Sequence, residues 1–129
     1  MQFNDVVFNE NGNIIDTLTG KALKDTPEER VRQRFIGILQ LDYGYPKETI
    51  LREVPIQQGS KILIDAKDGS EIRADIVVYN SKRAALSRDQ GNILFIVECK
   101  QPNVTEGYAQ LVSYIFNTSL FVFNLFLYS

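Results

Sequence analysis

The sequence predicts an α/β fold with a central mixed β-sheet flanked by helices. Three features predict it: an amphipathic helix in the first third of the chain, several short apolar runs after it, and a second helical pattern followed by a final apolar run. Helix, strands, helix and strand in this order are typical of layered α/β proteins. The 129 residues, 44% of them hydrophobic, are enough for one buried core, so we expect a single domain over residues 1–129 with its core at 26–117.

The N-terminal part is predicted to contain short strands and then a helix. Asn11–Gly12 favours a tight turn between strands within the first 25 residues. Asp25–Pro27 supplies a capping residue and a proline at the first helical position. Apolar residues then recur along one helical stripe, at Val31, Phe35, Ile38 and Leu39. We expect the helix to end at Tyr43–Pro46, where glycine and proline disfavour its continuation.

The middle of the chain is predicted to form strands. The strand-like runs are Ile50–Ile56, Lys61–Asp65, Glu71–Tyr79 and Asn92–Lys100. We expect a loop at Asn80–Gly91, and the continuous apolar run Ile93–Val97 is typical of a central strand covered on both faces. A second amphipathic helix is predicted at Thr105–Asn117, since Tyr108, Leu111, Val112 and Ile115 share one helical face.

The C-terminal segment Leu120–Tyr128 is almost wholly apolar. Counted from Tyr114, the apolar stretch is about 16 residues with polar interruptions, which is short of the ~20 that span a bilayer. We therefore expect no membrane span, and interpret residues 118–129 as a core strand or as the truncated end of a longer protein. The N-terminus lacks the basic and apolar regions of a signal peptide.

The composition excludes several kinds of chemistry. The chain has no histidine, so it cannot contain a Ser-His-Asp or Cys-His mechanism. Its one cysteine, Cys99, cannot form an internal disulfide, which favours a reducing cytoplasm. The net charge is −2, so any contact with nucleic acid would need a local basic patch. The sequence also lacks a G-x-x-x-x-G-K-[ST] phosphate loop, which excludes a motor within it.

Polar residues mark the ends of two apolar strands. Asp75 enters the first strand, and Glu98 and Lys100 end the second, where positions i and i+2 share a face. If the strands are neighbours, Asp75 reaches the same place. Two carboxylates and an amine beside a sheet indicate a Mg²⁺ site with a cationic helper, to which the backbone carbonyl of Cys99 could add an oxygen. Cys99 itself is predicted to be a small core residue. The alternative is a strand-end aspartate and an unrelated surface salt bridge.

Two further groups of polar residues lie on the predicted helices. Glu28 is expected on the core-facing stripe of the first helix, with Glu29 more outward; the alternative is that both are helix N-terminal acids stabilised by the macrodipole. Gln110 and Tyr114 form an i, i+4 pair that faces either the metal site, nucleic acid or solvent.

Basic residues that could contact phosphates are Arg30, Arg32, Arg34, Lys82, Arg83 and Arg88, and the DNA-binding candidates we retain are Lys82, Arg83 and Arg88.

Five segments carry a resemblance to a known family. They are TPEERVRQRFIGIL (Thr26–Leu39), GYP (Gly44–Pro46), RADIVVYN (Arg73–Asn80), LFIVECKQPN (Leu94–Asn103) and QLVSY (Gln110–Tyr114). As an ordered set they resemble the PD-(D/E)xK nuclease superfamily, and within it the N-terminal nuclease domain of type I restriction enzyme R subunits. The resemblance implies a restriction-endonuclease-like core and Mg²⁺-dependent DNA cleavage, with Mn²⁺ as a substitute.

The resemblance also implies roles for individual residues. Asp75, Glu98 and Lys100 match the catalytic triad. Glu28, with Glu29 as the second choice, matches the helix acid that joins Asp75, Glu98 and the Cys99 carbonyl at the metal. The residues that match a Q-x-x-x-Y element are Gln110 and Tyr114. The implied partners are DNA, an ATP-driven translocase and a methylation and specificity complex, and we also consider a homodimer.

The sequence departs from the family pattern in two places. Ala74 replaces the proline that precedes the aspartate, and the chain runs into an apolar segment where a further strand and polar turn are expected. The second departure keeps an alternative open: a non-catalytic or truncated module with the nuclease fold that binds DNA or a protein partner.

Overall fold

The structure, a computed structural model, describes residues 6–99 in full and only the backbone of Lys100 and of residues 121–126. The helices are α1 (Pro27–Leu41) and α2 (Lys82–Ser87). The strands are β1 (Ile14–Ile15), β2 (Ala22–Leu23), β3 (Ile50–Pro55), β4 (Gln57–Gln58), β5 (Lys61–Ile62), β6 (Arg73–Tyr79), β7 (Ile93–Lys100) and β8 (Phe121–Phe126).

A four-stranded mixed sheet in the order β3-β6-β7-β8 forms the centre of the protein. β3 pairs with β6 and β6 with β7 in the antiparallel sense, whereas β7 and β8 are parallel. Two small hairpins, β1–β2 and β4–β5, lie outside this sheet. The α/β class with a mixed sheet and helices is therefore confirmed, and the apolar C-terminal run does form a strand.

α1 begins and ends where the sequence predicts. The Thr26 hydroxyl accepts a hydrogen bond from the backbone N–H of Glu29 at 3.1 Å, and Pro27 occupies the first turn, where a missing N–H costs nothing. The helix ends at Leu41, and Gly44 follows with a φ of +73° that favours glycine. Local capping chemistry therefore determines both ends.

The buried face of α1 differs from the prediction. Its buried residues are Glu29, Arg32, Gln33, Ile36, Gly37, Ile38 and Leu39. Glu29 is 5% exposed, while Glu28 is half-buried, so the expectation that Glu28 faces the core and Glu29 faces outward is wrong. The first half of the helix packs against a polar cluster, and the hydrophobic pattern therefore does not mark its buried side.

Apolar residues cover both faces of the sheet, because side chains alternate along each strand. On one face, Ile36 and Leu39 of α1 pack with Ile76, Val97 and Cys99. On the other, the core cluster includes Val77, Tyr79, Ile96, Ala84 and Ala85. Cys99 is 2% exposed, which confirms it as a core residue.

Two smaller predictions for this region are wrong. The expected loop at 80–91 contains α2, a six-residue helix capped by the Ser81 hydroxyl and too short to produce a periodic pattern. Leu94, expected to be covered on the central strand, is 43% exposed at the start of β7. Neither helix of the described part of the chain is long and apolar enough to cross a membrane.

Candidate functional site

Two carboxylates meet where β6 and β7 stop pairing. The paired register of β6 and β7 ends at Ile76 and Val97. Beyond that pair, hydrogen bonds from backbone N–H groups to carboxylate side chains join the two strands. The backbone N–H of Asp75 donates to Glu98 Oε1 at 3.2 Å, and the backbone N–H of Cys99 donates to Asp75 Oδ2 at 2.7 Å. Each acid thus takes the place of a backbone acceptor on the neighbouring strand. The prediction that neighbouring strands bring Asp75 to Glu98 is confirmed.

Both carboxylates are buried. Glu98 is 0% exposed and Asp75 is 7% exposed. Burying a charge is costly unless it has partners, so these side chains need hydrogen bonds and opposite charges around them. The two backbone N–H groups supply part of that requirement and also fix the direction of each carboxylate.

Arg32 of α1 supplies positive charge to this site. Its Nη2 atom lies 3.4 Å from Asp75 Oδ1, and its Nη1 atom lies 3.3 Å from Glu29 Oε1 and 3.1 Å from Glu53 Oε1. Burial alone would lower the pKa of the Arg32 guanidinium, but Asp75, Glu29 and Glu53 together raise it above its ordinary value. Arg32 is therefore a permanent cation that connects three acids from three elements.

Glu53 of β3 occupies an unusual backbone conformation beside Asp75. Its neighbours Arg52 and Val54 pair with Ile76 and Ala74, which places Glu53 opposite Asp75 in the register. Its φ is +50°, a conformation that costs a non-glycine residue about 1 kcal/mol or more. Burial would raise the pKa of Glu53, but the nearby arginines, Arg32 first, lower it below its ordinary value. The strained backbone thus holds an ionised carboxylate at the site.

Arg52 connects Glu29 to Glu53. Its Nη2 atom hydrogen-bonds to Glu29 Oε1 and lies 3.6 Å from Glu53 Oε2. Glu29, Glu53 and Asp75 therefore contact the guanidiniums of Arg32 and Arg52, and Glu98 bonds to the backbone of Asp75 beside them. Arg73 Nη1 also lies 4.0 Å from Glu53 Oε2. The described side chains of this cluster thus comprise four acids and three arginines, and the excess of acids favours a further cation.

Gln33 extends the cluster to the β1–β2 hairpin. Its Nε2 atom donates to Glu29 Oε2 at 3.2 Å and to Asp16 Oδ1 at 3.1 Å. Its Oε1 atom accepts bonds from the backbone N–H and the hydroxyl of Thr17 at 3.0 and 3.1 Å. One amide side chain therefore joins α1 to the hairpin.

Sequence reasoning named Glu29 only as the second choice for the helix acid and Arg32 only as a possible phosphate contact. It missed the other members of the cluster, which are Asp16, Gln33, Arg52 and Glu53. The signal that could have found Glu29, Arg32 and Gln33 together is their spacing at i, i+3 and i+4, which places an acid, a base and an amide on one helical face. No pattern in the sequence marks Glu53, whose position depends on its φ.

The donor set suits a small hard cation. In the part of the chain that the structure describes, no group of three or more acidic, histidine or cysteine side chains is arranged to hold a metal ion. Asp75 and Glu98 form a pair, and Mg²⁺ commonly uses one or two carboxylates with water and phosphate as its remaining ligands. A carboxylate oxygen has two lone pairs, so it can accept a hydrogen bond and ligate an ion at the same time.

The remaining candidates have different outcomes. Gln110, Tyr114 and the side chain of Lys100 lie outside the described residues. Arg30 forms a two-point ion pair with Asp25 at 2.6 and 2.7 Å, so its guanidinium, like that of Arg32, is engaged by acids rather than open to phosphate. Of the α2 cations, Lys82 and Arg88 line a surface groove, and Arg83 is exposed outside it.

Comparison with known proteins identifies a family. A family model described as the type I restriction enzyme R protein N terminus (HSDR_N) matches residues 27–124. The matched span contains α1, β3, β6, β7, the first four residues of β8, and both Asp75 and Glu98. No curated protein and no solved structure matched the chain.

Proposed function

We propose, because this chain belongs to the family of type I restriction enzyme R protein N termini, that it is a Mg²⁺-dependent DNA endonuclease domain. The observation that carries the proposal is the reciprocal bonding of Asp75 and Glu98 at the end of β6 and β7. Two oriented carboxylates in a cluster with excess negative charge are suited to holding a divalent ion against a phosphodiester.

Asp75 and Glu98 would hold the ion, with the backbone carbonyl of Cys99 as a third oxygen, and Mn²⁺ would substitute for Mg²⁺. The ion supplies Lewis-acid polarisation of the scissile phosphate when it is bound. The hydrogen bonds to the backbone N–H groups of Asp75 and Cys99 hold both carboxylates in one geometry, which reduces the reorganisation needed at the moment of reaction.

Lys100 follows Glu98 by two positions in β7, which favours projection to the same side of the sheet. We assign it the cationic role: it orients or deprotonates the attacking water, or stabilises charge on the phosphate. Glu28, Gln110 and Tyr114 remain proposed site residues on the strength of the family pattern, and the position of Glu29 in the acidic cluster makes it the stronger choice for the helix acid.

The family also supplies the setting of the reaction. We propose DNA as the substrate, with a motor subunit and a methylation and specificity complex as partners and the cytoplasm as the location. A homodimer remains a further proposal.

A second candidate function is a non-catalytic module that docks a partner. It is favoured by β8, whose sequence FVFNLF is apolar and which is the last strand of the central sheet among the described residues. A terminal strand offers unpaired backbone groups to another chain.

Metal titration and plasmid nicking separate the two functions. Calorimetry with Mg²⁺ and Mn²⁺, followed by nicking of supercoiled plasmid, would compare wild type with the Asp75→Asn/Glu98→Gln protein. We expect both metal binding and nicking to be lost in that variant, with circular dichroism unchanged. Glu10→Gln, which removes an exposed acid elsewhere, is the matched control and should keep both. Folded wild-type protein that binds no metal and leaves the plasmid intact would favour the docking module.

A further inference from the structure

The basic residues of the described chain include two contrasting groups. The first group is held in ion pairs and consists of Arg30, Arg32, Arg52 and Arg73. Other basic residues are exposed and form no ion pair with any residue that the structure describes. Four of them line one groove and make up the second group: Lys21, Lys47, Lys82 and Arg88. Lys24, Lys61 and Arg83 are also exposed but lie outside the lining of the groove.

This basic groove has a volume of about 410 Å³ and lies between the β1–β2 hairpin, the turn at Lys47–Thr49, β3 and α2. Leu18, Ile50 and Leu51 contribute apolar lining, and the lining acids are Asp16 and Glu48. The Asp16 carboxylate already accepts bonds from the Thr19 hydroxyl at 2.7 Å and from the Leu18 N–H at 3.1 Å. The groove is therefore locally positive on a chain whose net charge is −2.

The origin of the four cations indicates the shape of the ligand. They come from three separate elements: the β1–β2 hairpin, the turn before β3, and α2. A ligand that contacts all of them must be extended and must carry several negative charges. A nucleic-acid backbone has both properties, since it presents a phosphate at every nucleotide.

Arg52 connects the basic groove to the acidic cluster. It lines the groove, and its guanidinium also contacts Glu29 and Glu53, which in turn contact Arg32 beside Asp75. A polymer bound in the groove is long enough to extend past Arg52 toward the carboxylates, whereas a short acidic peptide would occupy the groove alone.

We propose that the basic groove binds the sugar-phosphate backbone of duplex DNA and delivers it to the Asp75–Glu98 site. This inference rests on the proposed nuclease function. It adds Lys21 and Lys47, which the sequence did not suggest as DNA contacts, keeps Lys82 and Arg88, and leaves Arg83 outside the groove.

Salt-dependent DNA binding tests the proposal. Fluorescence anisotropy of a labelled 20-base-pair duplex would be measured in EDTA, so that no cleavage occurs, over a range of KCl concentrations. Each phosphate contact contributes about 0.9 to the slope of log K against log salt. We expect Lys21→Gln/Lys47→Gln and Lys82→Gln/Arg88→Gln each to lower that slope by about 1 to 2 and to weaken binding by roughly tenfold or more.

The matched control is Lys24→Gln/Lys61→Gln, which removes the same charge from exposed positions outside the groove. We expect its slope to stay close to that of wild type. An equal loss in the control and the groove variants would overturn the proposal, because it would reveal a general charge effect. Wild-type protein that binds inorganic phosphate or poly-aspartate in competition assays but not the duplex would also overturn it.

The binding test is independent of catalysis. If groove variants lose DNA binding while wild type fails to nick plasmid with Mg²⁺ or Mn²⁺, the groove is supported and the nuclease proposal fails. If wild type nicks plasmid and the groove variants bind and nick as well as the control, the nuclease proposal stands and the groove proposal fails.

Discussion

Arg32 is the residue on which α1, β3 and β6 converge. Its guanidinium contacts acids from all three elements within 3.4 Å, and its side chain is 7% exposed. A buried carboxylate without a positive partner is strongly unfavourable, so Arg32 supplies the opposite charge that these acids need. The same contacts place it beside Asp75, where a divalent ion would add a second positive charge.

Replacing Arg32 tests this account at the scale of a single residue. We expect Arg32→Met to lower the free energy of unfolding by about 3 to 5 kcal/mol in EDTA, because it leaves buried acids uncompensated. Urea unfolding followed by circular dichroism measures this. Added Mn²⁺ should restore part of the loss, since the ion supplies the missing charge.

Arg30→Met is the matched control, because Arg30 pairs with Asp25 at the surface, where solvent screens the interaction and such pairs add little stability. A loss of stability for Arg32→Met no larger than that for Arg30→Met would contradict the stabilising role of Arg32. An equal effect of Mn²⁺ on the stability of both variants would contradict the expectation that the ion replaces the charge of Arg32.

At the scale of elements, α1 carries two kinds of information in its sequence. Its ends follow from Thr26, Pro27 and Gly44, whose capping and turn chemistry acts locally, and they were predicted correctly. Its buried face in the first half consists of Glu29, Arg32 and Gln33, which depend on partners distant in sequence. Hydrophobic periodicity cannot identify a buried polar face, so the buried acid was expected at Glu28 rather than at Glu29.

The strand elements show the same division. Asp75 and Glu98 were predicted to meet because their apolar strands are consecutive, and consecutive strands are usually neighbours. The reciprocal bonding of those carboxylates to backbone N–H groups could not be predicted, since it depends on where the ladder ends. The positive φ of Glu53 likewise arises from tertiary structure, because its sequence context contains no glycine or asparagine.

Gln33 provides an element-scale prediction, because it joins α1 to the β1–β2 hairpin. We expect Gln33→Ala to lower the free energy of unfolding by about 2 kcal/mol, since the N–H of Thr17 and the carboxylate of Asp16 lose a buried partner. Hydrogen exchange should show faster exchange in the hairpin than in β6 or β7. The hairpin carries Lys21, so DNA affinity should fall as well.

Gln40→Ala on the same helix is the control, because its buried Nε2 atom has no hydrogen-bond partner among the described residues. Its removal should leave exchange in the hairpin unchanged. Uniform acceleration across the sheet in the Gln33 variant would indicate general destabilisation and contradict a local anchoring role.

At the scale of the whole molecule, charge is separated between a mostly buried acidic cluster and a basic surface groove, and Arg52 connects the two. Acids outnumber bases in the Asp75–Glu98 cluster, and bases outnumber acids in the groove. A net charge near zero therefore conceals an arrangement in which one region attracts a cation and the adjoining region attracts a polyanion. Composition alone could indicate that a local patch was needed, but the assembly of Lys21, Lys47 and α2 into one groove required the folded structure.

The acidic cluster also determines how the molecule responds to pH. The pKa of Glu53 is lowered from its ordinary value of 4.5, despite burial that would raise it, because Arg32, Arg52 and Arg73 favour the charged form. A group with a lowered folded pKa binds fewer protons when folded than when unfolded. Its stabilising contribution is therefore complete above pH 4.5 and is lost as the pH falls through the lower folded value.

We expect urea unfolding to show a stability that is level from neutral pH to about pH 5.5 and then declines as acid protonates the unfolded state. Glu53→Gln should be less stable than wild type at neutral pH, and the difference should shrink below pH 4.5, where wild type loses the same charge. Glu10→Gln, at an exposed position, should follow the wild-type curve. A constant difference between wild type and Glu53→Gln from pH 7 to pH 3 would mean that packing or the backbone strain at Glu53, rather than its charge, accounts for the effect.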